Sequence, residues 1–321
     1  MKNFLKAFCI IFLCLSCAKK NVNLKSSQIT KIDSISNLKE LQDFVKTVDS
    51  SLIGFICIPP HEYKKVELAN STLKQQLDSL IPKTDYIKAD FDGNGLNDLV
   101  ITGTSNFSFN ALAILDQGAN NYKVLSLVPS HSIEQFPIYT KLLQKNDLSL
   151  VEIYRKNSVF GGKEFIKSTM VFKSGSFIEY VERTADYQIE KIEFGTTGCF
   201  GTCPVFDLIL FPREKSKFHA KYYNFKNTPQ NEDKEEGVFE TVLNPSDFEA
   251  IVKLMNEVNI KELENSYKVG WTDDQTSVLK VYFSDGSFKF IQDYGMRGTL
   301  GLQLLYEKLL ALRFNQDWKP L

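Results

Sequence analysis

The middle of the chain is a succession of short segments rich in β-branched and aromatic residues, separated by Gly, Asn, Asp and Lys-Ser-Gly turns. They read "DLVITGTS", "FNALAILDQ", "YKVLSLV", "LSLVEIYRK", "FIKSTMVFK" and "SFIEYVER". Strand-length segments this closely spaced predict neighbouring antiparallel strands, because parallel strands need longer crossover connections. We therefore expect a mainly antiparallel β domain, either propeller-like or sandwich-like.

Short helices are predicted before these strands. A helix is predicted from Asn37, with Ser36 as its expected cap. Its apolar face consists of Leu38, Leu41, Phe44, Val45 and Val48. A second helical spacing, ended by Pro82, is formed by Leu73, Leu77, Leu80 and Ile81.

The C-terminal half alternates differently. Strand patterns occur in "YQIEKIEFG", "VFDLILFP", "KFHAKYYNF" and "VFETVL", and "SVLKVYFSD" and "SFKFIQDYG" predict a hairpin around Asp285-Gly286. One helix is expected from Pro245 to Val258, capped by Asn244 or Ser246, and another from about Gly298 to Phe314. This pattern predicts an α+β domain with an antiparallel sheet and two helices. A chain of 321 residues accommodates two domains, which we place at residues 36–185 and 186–321.

The first residues have the pattern of an export signal. Lys2 and Lys6 precede an apolar run that is too short to span a bilayer and ends at Ser16-Cys17. A small residue before a cysteine at this position resembles the lipobox of bacterial lipoproteins, which implies cleavage after residue 16 and acylation of Cys17. The alternative is cleavage to a soluble secreted protein. Residues 17–35 are then expected to be the lipid anchor and a polar linker.

Charge and composition exclude several classes of function. The chain has 38 basic and 39 acidic residues, and removal of Lys2 and Lys6 with the signal would leave a net charge of −3. It has no basic patch with interleaved aromatic residues, no P-loop and no G-x-G-x-x-G, so neither a nucleic-acid nor a nucleotide partner is expected. No later segment reaches eighteen apolar residues, so membrane attachment would rest on the lipid, in the outer membrane.

Residues 89–103, "ADFDGNGLNDLVITG", contain the pattern with the clearest chemistry. Counted from Asp90, oxygen ligands fall at alternate positions: Asp90, Asp92, Asn94, the Leu96 carbonyl and Asp98. Calcium prefers six or more oxygen ligands, and the glycines at positions 93 and 95 allow a short loop to wrap around one ion. The twelfth position is Ile101 rather than a glutamate, which excludes an EF-hand.

This spacing resembles the calcium loops of FG-GAP repeats, which are blades of integrin-type β-propellers. The resemblance implies a structural calcium ion held by the five positions above, although only one such repeat is found. The alternative is a metal-free turn, because Asp, Asn and Gly also build tight hairpins.

Two cysteines, Cys199 and Cys203, lie in "FGTTGCFGTCPVFDLILF". In an exported protein a disulfide is the expected state, and a loop this small gains only about 2 kcal/mol from the cross-link. Redox activity, free thiols and a metal site are the alternatives, although the spacing is not the C-x-x-C of thioredoxin-like proteins. Cys57 is left unpaired and is interpreted as a buried apolar residue.

The run "TGCFGTCPVFDLILF" and several later features together resemble an uncharacterised domain family of bacterial envelope proteins with a C-x-G-x-C-P signature. The later features are Tyr267, "TDDQT" at 272–276, "QDYG" at 292–295 and Trp318. The resemblance covers about residues 187–320. It implies a domain and a location, and it transfers no catalytic residue.

Polar residues near the predicted strand ends of the C-terminal domain raise the question of catalysis. Asp273, Asp274, Asp293 and Tyr294 could form an acid–base site, or they could cap turns. The histidines, His61, His131 and His219, lack metal-ligand spacing. We expect a lipid-anchored, calcium-stabilised binding or assembly module with an envelope protein or glycan as partner. The alternative is an envelope hydrolase that uses acidic residues, with or without a metal.

Overall fold

The structure is a computed structural model that describes residues 29–59, 84–106, 108–129, 136–156, 165–224 and 236–321. Several predicted features lie outside the described residues. These are the signal and Cys17, most of the linker, the helix predicted at Leu73 to Ile81, His61 and His131, and most of the charged loop at 227–237.

Four α-helices occur in the described ranges. They are α1 (Lys31–Ser34), α2 (Leu38–Val48), α3 (Pro245–Glu257) and α4 (Leu300–Asn315), with 3-10 turns at Ser50–Leu52 and Ile260–Glu262. The predicted helices α2, α3 and α4 are confirmed. The cap of α2 is Asn37 rather than Ser36, because the Asn37 side chain accepts the Glu40 N–H. Within these ranges no helix has the length and apolarity to cross a bilayer.

The chain is mostly β, with several antiparallel sheets. The first sheet contains β1 (Ile56–Cys57), β2 (Ile87–Ala89), β3 (Asp98–Ser105), β4 (Ser108–Asp116) and β5 (Tyr122–Ser126). The second sheet contains β6 (Tyr139–Lys145), β7 (Leu148–Lys156), β8 (Phe165–Lys173) and β9 (Ser176–Glu179), paired in chain order.

The third sheet has eight strands, in the order β14-β16-β15-β10-β11-β12-β13-β17. They are β10 (Ile189–Thr196), β11 (Val205–Leu210), β12 (Lys215–Tyr222), β13 (Gly237–Val242), β14 (Ser266–Lys268), β15 (Thr276–Phe283), β16 (Phe288–Tyr294) and β17 (Lys319–Pro320). The predicted hairpin is β15–β16, with Gly286 in the left-handed conformation.

The prediction of a purely antiparallel C-terminal sheet is wrong at one pair, because β14 and β16 run parallel. Two chain reversals, one on each side of β15, separate these strands and return the chain to its first direction. The sheet is therefore mixed, with α3 and α4 packed on it.

Apolar clusters lie between successive layers. The first cluster joins α1 and α2 to one face of the first sheet, through residues such as Ile32, Phe44 and Ile101. The second lies between the first and second sheets and includes Val100, Val151, Ile153 and Phe177. The third joins α3, α4 and the third sheet to the opposite face of the second sheet, through Leu150, Val171 and Ile178.

The C-terminal end of the predicted linker is packed against the first sheet. Ile32 is fully buried, and Thr30 and Asp33 cap α1 reciprocally. The Lys88 ammonium donates to the carbonyls of Asp33 and Ile35 at 2.9 and 2.7 Å. Residues 30–35, which the polar composition assigns to the tether, therefore pack as part of the folded domain.

A carboxylate from the second sheet fixes the start of α4. Glu179, the last residue of β9, accepts the Leu300 and Gly301 N–H groups at 2.8 and 3.0 Å. A helix N-terminus has unsatisfied N–H groups and a partial positive charge, so this contact is favourable. A Cβ on Gly301 would lie 2.4 Å from a methyl group of Val258, the residue that follows α3. Glycine at this position therefore permits the close approach of α4 to the end of α3.

We predict that Glu179→Gln lowers the free energy of unfolding by about 1–2 kcal/mol, because the amide loses the charge and one of its two acceptor positions. Urea denaturation measures the loss. Glu307→Gln is the matched control, since Glu307 is exposed on α4. This substitution should change the free energy of unfolding by less than about 0.5 kcal/mol. Equal losses of stability in the two variants would contradict the role of Glu179 in holding the start of α4.

Candidate functional site

The aspartate loop, residues 90–98, connects β2 to β3. These two strands pair antiparallel, with Ala89 opposite Asp98, so the loop closes a hairpin. Gly93 and Gly95 have φ values of 77° and 86°, in the left-handed region that glycine adopts without strain. The flanking strands confirm that this is not an EF-hand, which has flanking helices.

Three carboxylates converge in this loop. One oxygen from each of Asp90, Asp92 and Asp98 lies within 4.8 Å of the others. Asp90 accepts the Gly93 and Gly95 N–H groups at 2.8 and 2.9 Å, which sets the curvature of the loop.

Asp98 is the fully buried member of the group. Its two oxygens accept the Phe91 and Asp116 N–H groups at 2.8 and 2.9 Å. Burial raises its pKa to about 7, and the nearby negative charges of Asp92 and Asp90 add to that rise, while the two backbone hydrogen bonds oppose it. An ionised Asp98 is therefore costly in this position unless positive charge is supplied.

The three carboxylates are suitable ligands for a hard cation. Asn94, in its present orientation, is not. The Asn94 Nδ2 donates to the Asp92 carboxylate at 3.2 Å and to the Asp116 carbonyl at 2.7 Å, and its Oδ1 accepts the Leu96 N–H. Coordination by Asn94 requires its carboxamide to reverse. The structure thus brings together Asp90, Asp92 and Asp98 of the five predicted ligand positions and turns the Asn94 oxygen away.

The contribution of β4 to this loop was not predicted from the sequence. Asp116, its last residue, is buried and contacts the loop through its backbone N–H and carbonyl, and the neighbouring Gln117 side chain donates to Asp92 at 2.9 Å. The only signal was the turn-like sequence "LDQGANNYK", which lacks the spacing of a ligand set.

The second candidate site is the disulfide loop, residues 199–203, between β10 and β11. Cys199 and Cys203 have the geometry of a disulfide, with Cα atoms 5.7 Å apart. Phe200, within the loop, is 92% exposed. Cys57, the other cysteine that the structure describes, is buried and free, as predicted, and burial raises the pKa of its thiol to about 12.

Distant segments of the C-x-G-x-C-P resemblance meet at this loop. The Gln275 side chain, which is buried, donates to the carbonyls of Thr197 and Pro204 at 2.9 and 2.7 Å, one on each side of the disulfide. The Gly295 N–H donates to the Gln275 carbonyl at 2.7 Å, and the Phe200 N–H donates to the Asp273 carbonyl at 2.9 Å. The Gln275 carboxamide therefore bridges the two ends of the β10–β11 connection, and backbone hydrogen bonds join this loop region to the segments that follow β14 and β16.

The acidic residues nearby are used in turns. Asp293 is fully buried, and its oxygens accept the Arg297 and Gly298 N–H groups at 3.2 and 2.8 Å. Burial raises its pKa, against the effect of those hydrogen bonds. Asp274 accepts the Trp271 indole N–H at 2.8 Å, and its own N–H donates to the Tyr294 hydroxyl at 3.1 Å. This arrangement supports the interpretation that these residues cap turns.

His219 does not extend a metal site. Its Nδ1 lies 3.7 Å from the Asp207 carboxylate, which also pairs with Lys221 at 2.5 Å, on the exposed face of the third sheet. Within the described residues, the group of potential metal ligands is the one in the aspartate loop.

The sequence comparison reaches the C-terminal half of the chain. Residues 190–313 match DUF6438, a domain of unknown function. The DUF6438 match contains the disulfide loop, Gln275, Asp293 and Gly295, and it excludes the aspartate loop. No curated protein and no solved structure matches the chain. The match therefore names a domain and supplies no activity.

We predict that Gln275→Met destabilises the DUF6438 domain by about 1–3 kcal/mol, because the Thr197 and Pro204 carbonyls lose a buried donor. Chemical denaturation of the oxidised protein measures the change. Gln292→Met is the control, since Gln292 is exposed on β16 and should have little effect. A loss of stability no larger than that of the control would show that the bridge is unimportant.

Proposed function

We propose that the mature chain is a lipid-anchored protein of the cell envelope that acts as a non-catalytic binding or assembly module. The observation that carries this proposal is the exposed ring of Phe200 on a loop whose ends are held by a disulfide and by Gln275. Trp271, 39% exposed, lies on the connection that contacts this loop.

An exposed aromatic ring on a constrained loop suits binding. Aromatic residues are common among the few residues that dominate interface energetics. A loop that is already ordered loses little conformational entropy when its partner binds, so more of the gain from burying the ring contributes to affinity. An envelope protein or a glycan is the partner class expected from the sequence.

The alternative, an envelope hydrolase, needs a carboxylate that can exchange a proton with substrate at an open pocket. Asp293 is enclosed and accepts two backbone N–H groups, and Asp274 accepts the Trp271 indole and the Gln275 N–H. These contacts favour the binding module over the hydrolase.

Export and acylation of Cys17 rest on the sequence pattern of the first residues. We predict that metabolic labelling with a fatty acid marks the wild-type protein and leaves Cys17→Ser unlabelled. Fractionation should place the labelled protein in the outer membrane. Equal labelling of both proteins would contradict the lipid anchor.

A calcium ion bound by the aspartate loop is the cofactor we propose, and we propose that the two N-terminal sheets form a sandwich-like pair. The ion would cross-link the β2–β3 hairpin of the first sheet. The support is the convergence of three carboxylates, one of them fully buried. Asp90, Asp92 and Asp98 would hold the ion, which would supply the positive charge that this group lacks.

We predict that calcium raises the melting temperature of the mature protein. An ion at one hundred times its Kd stabilises the folded state by about 2.7 kcal/mol. Asp92→Asn should abolish the rise while keeping the side-chain shape, and Asp147→Asn, in the β6–β7 turn, should keep it. No calcium-dependent rise in the wild type would rule out a structural calcium ion in the aspartate loop.

We also predict that Phe200→Ser abolishes capture of a partner from envelope extract by the tagged full chain. Phe288→Ser is the matched control, because Phe288 is 59% exposed but lies on β16, away from the disulfide loop. Melting curves should show that both variants fold. Capture that is unchanged by Phe200→Ser would place the binding surface elsewhere.

A further inference from the structure

Residues 30–35, the C-terminal end of the predicted tether, pack beside the hairpin that carries the aspartate loop. We name them the docked segment. Ile32 is fully buried and Ile35 is nearly so, in the apolar cluster that also contains Leu99 of β3. Thr30 and Asp33 cap α1 reciprocally, so the docked segment also has a defined backbone conformation. The end of the tether is therefore attached to the sheet that carries the aspartate loop.

Both strands of the β2–β3 hairpin contribute contacts to the docked segment. Lys88, on β2, donates to the carbonyls of Asp33 and Ile35. Asn97, the last loop residue before Asp98, donates through its side chain to the Asp33 carboxylate at 2.8 Å. One contact therefore comes from the strand that enters the aspartate loop, and the other comes from the loop itself.

A small cavity of about 190 Å³ also joins the docked segment to the aspartate loop. Thr30 and Lys31 of the docked segment line it, together with Leu96 of the loop and Tyr122 of β5. Leu96 and Asn97 are consecutive, so a shift of this part of the loop would alter both the cavity wall and the contact with Asp33. The position of the docked segment thus depends on the conformation of the loop.

An ion at the three carboxylates would fix that conformation. Asp98, which follows Asn97, is fully buried, and one of its oxygens lies within 4.8 Å of oxygens of Asp90 and Asp92. Like charges this close repel each other, and a divalent cation between them replaces the repulsion with attraction. The carboxylates converge in the same conformation in which Asn97 reaches Asp33. An ion that stabilises this conformation therefore also stabilises the docked position.

We propose that calcium binding by the aspartate loop and docking of residues 30–35 stabilise each other. This inference rests on the proposed calcium ion and lipid anchor, and it assigns a regulatory role to that calcium site. Linkage makes the effect reciprocal. If the ion favours docking by a given factor, docking raises the affinity for the ion by the same factor.

Release of the docked segment would lengthen the tether, because residues 30–35 extend to about 20 Å. Exposure of Ile32 and Ile35 to water opposes release, so the docked state predominates and the ion changes how often the segment opens. Calcium would therefore lower the fraction of molecules whose folded sheets stand farther from the membrane.

Hydrogen–deuterium exchange of the full mature chain in detergent, with calcium or with a chelator, tests the proposal. The N–H groups of residues 34 and 35 donate to backbone carbonyls within the docked segment, so their exchange reports its opening. The Gly93 and Gly95 N–H groups donate to Asp90, so they report the aspartate loop. We expect calcium to slow exchange at least tenfold in both places.

Calorimetric titration with calcium supplies the reciprocal measurement. Ile32→Ala weakens docking and removes no oxygen ligand, so it should weaken calcium binding at least fivefold. Leu41→Ala is the matched control, because Leu41 is equally buried in the same cluster but lies on α2, and its calcium affinity should stay within twofold of the wild type. Should Ile32→Ala not fold, Thr30→Ala removes the cap of α1 instead and should weaken binding at least twofold, with the exposed Thr47→Ala as its control.

The outcomes separate this inference from the calcium site on which it rests. Calcium that slows exchange in the aspartate loop but leaves residues 34 and 35 unchanged overturns this inference alone. Equal calcium affinities of Ile32→Ala and Leu41→Ala do the same. A wild type that binds no calcium in either measurement overturns the proposed calcium ion and this inference together.

Discussion

The second sheet is buried on both faces, and the positions of the other layers depend on it. Val151 and Phe177 face the first sheet, while Leu150 and Ile178 face α4 and the third sheet. A strand buried on both faces has a nearly continuous apolar run, which "LSLVEIYRK" in β7 approaches. Since β9 also supplies Glu179 to the start of α4, this sheet sets where the C-terminal helix begins.

A series of hydrogen bonds connects the start of α4 to the disulfide loop of the third sheet. Residues 295–299, which precede α4, are fixed by Asp293 and by the carbonyl of Gln275. Gln275 in turn bridges the two sides of the disulfide loop. Buried polar groups are costly unless their hydrogen bonds are made, so this network specifies one conformation. The exposed Phe200 is consequently presented on a rigid support.

Much of the local structure could be predicted from the sequence. The helices α3 and α4, the hairpin at Asp285-Gly286 and the strand-flanked aspartate loop follow from caps, turn residues and periodicity, which act within a few residues. The parallel β14, the contact of Asp116 with the aspartate loop and the bridge by Gln275 could not. Each joins residues distant in sequence, and a single glutamine or aspartate carries no local sign of its eventual partner.

The same limit applies to the function. The two cysteines predicted a disulfide, but only the fold shows that Phe200 projects from the loop that it closes. This exposed ring has no periodic pattern in the sequence that would mark it, because its setting depends on side chains that different loops bring together. The match to DUF6438 defines the extent of a domain and leaves its chemistry to such geometry.

We propose above that the disulfide loop is a contact surface. The most direct measurement replaces Phe200 with a photoreactive benzoylphenylalanine in the full-length protein and irradiates intact cells. We expect a specific cross-link at this position to another envelope component, and none when the same photoreactive residue replaces Phe288. Cross-linking at position 200 no stronger than at position 288 would contradict it.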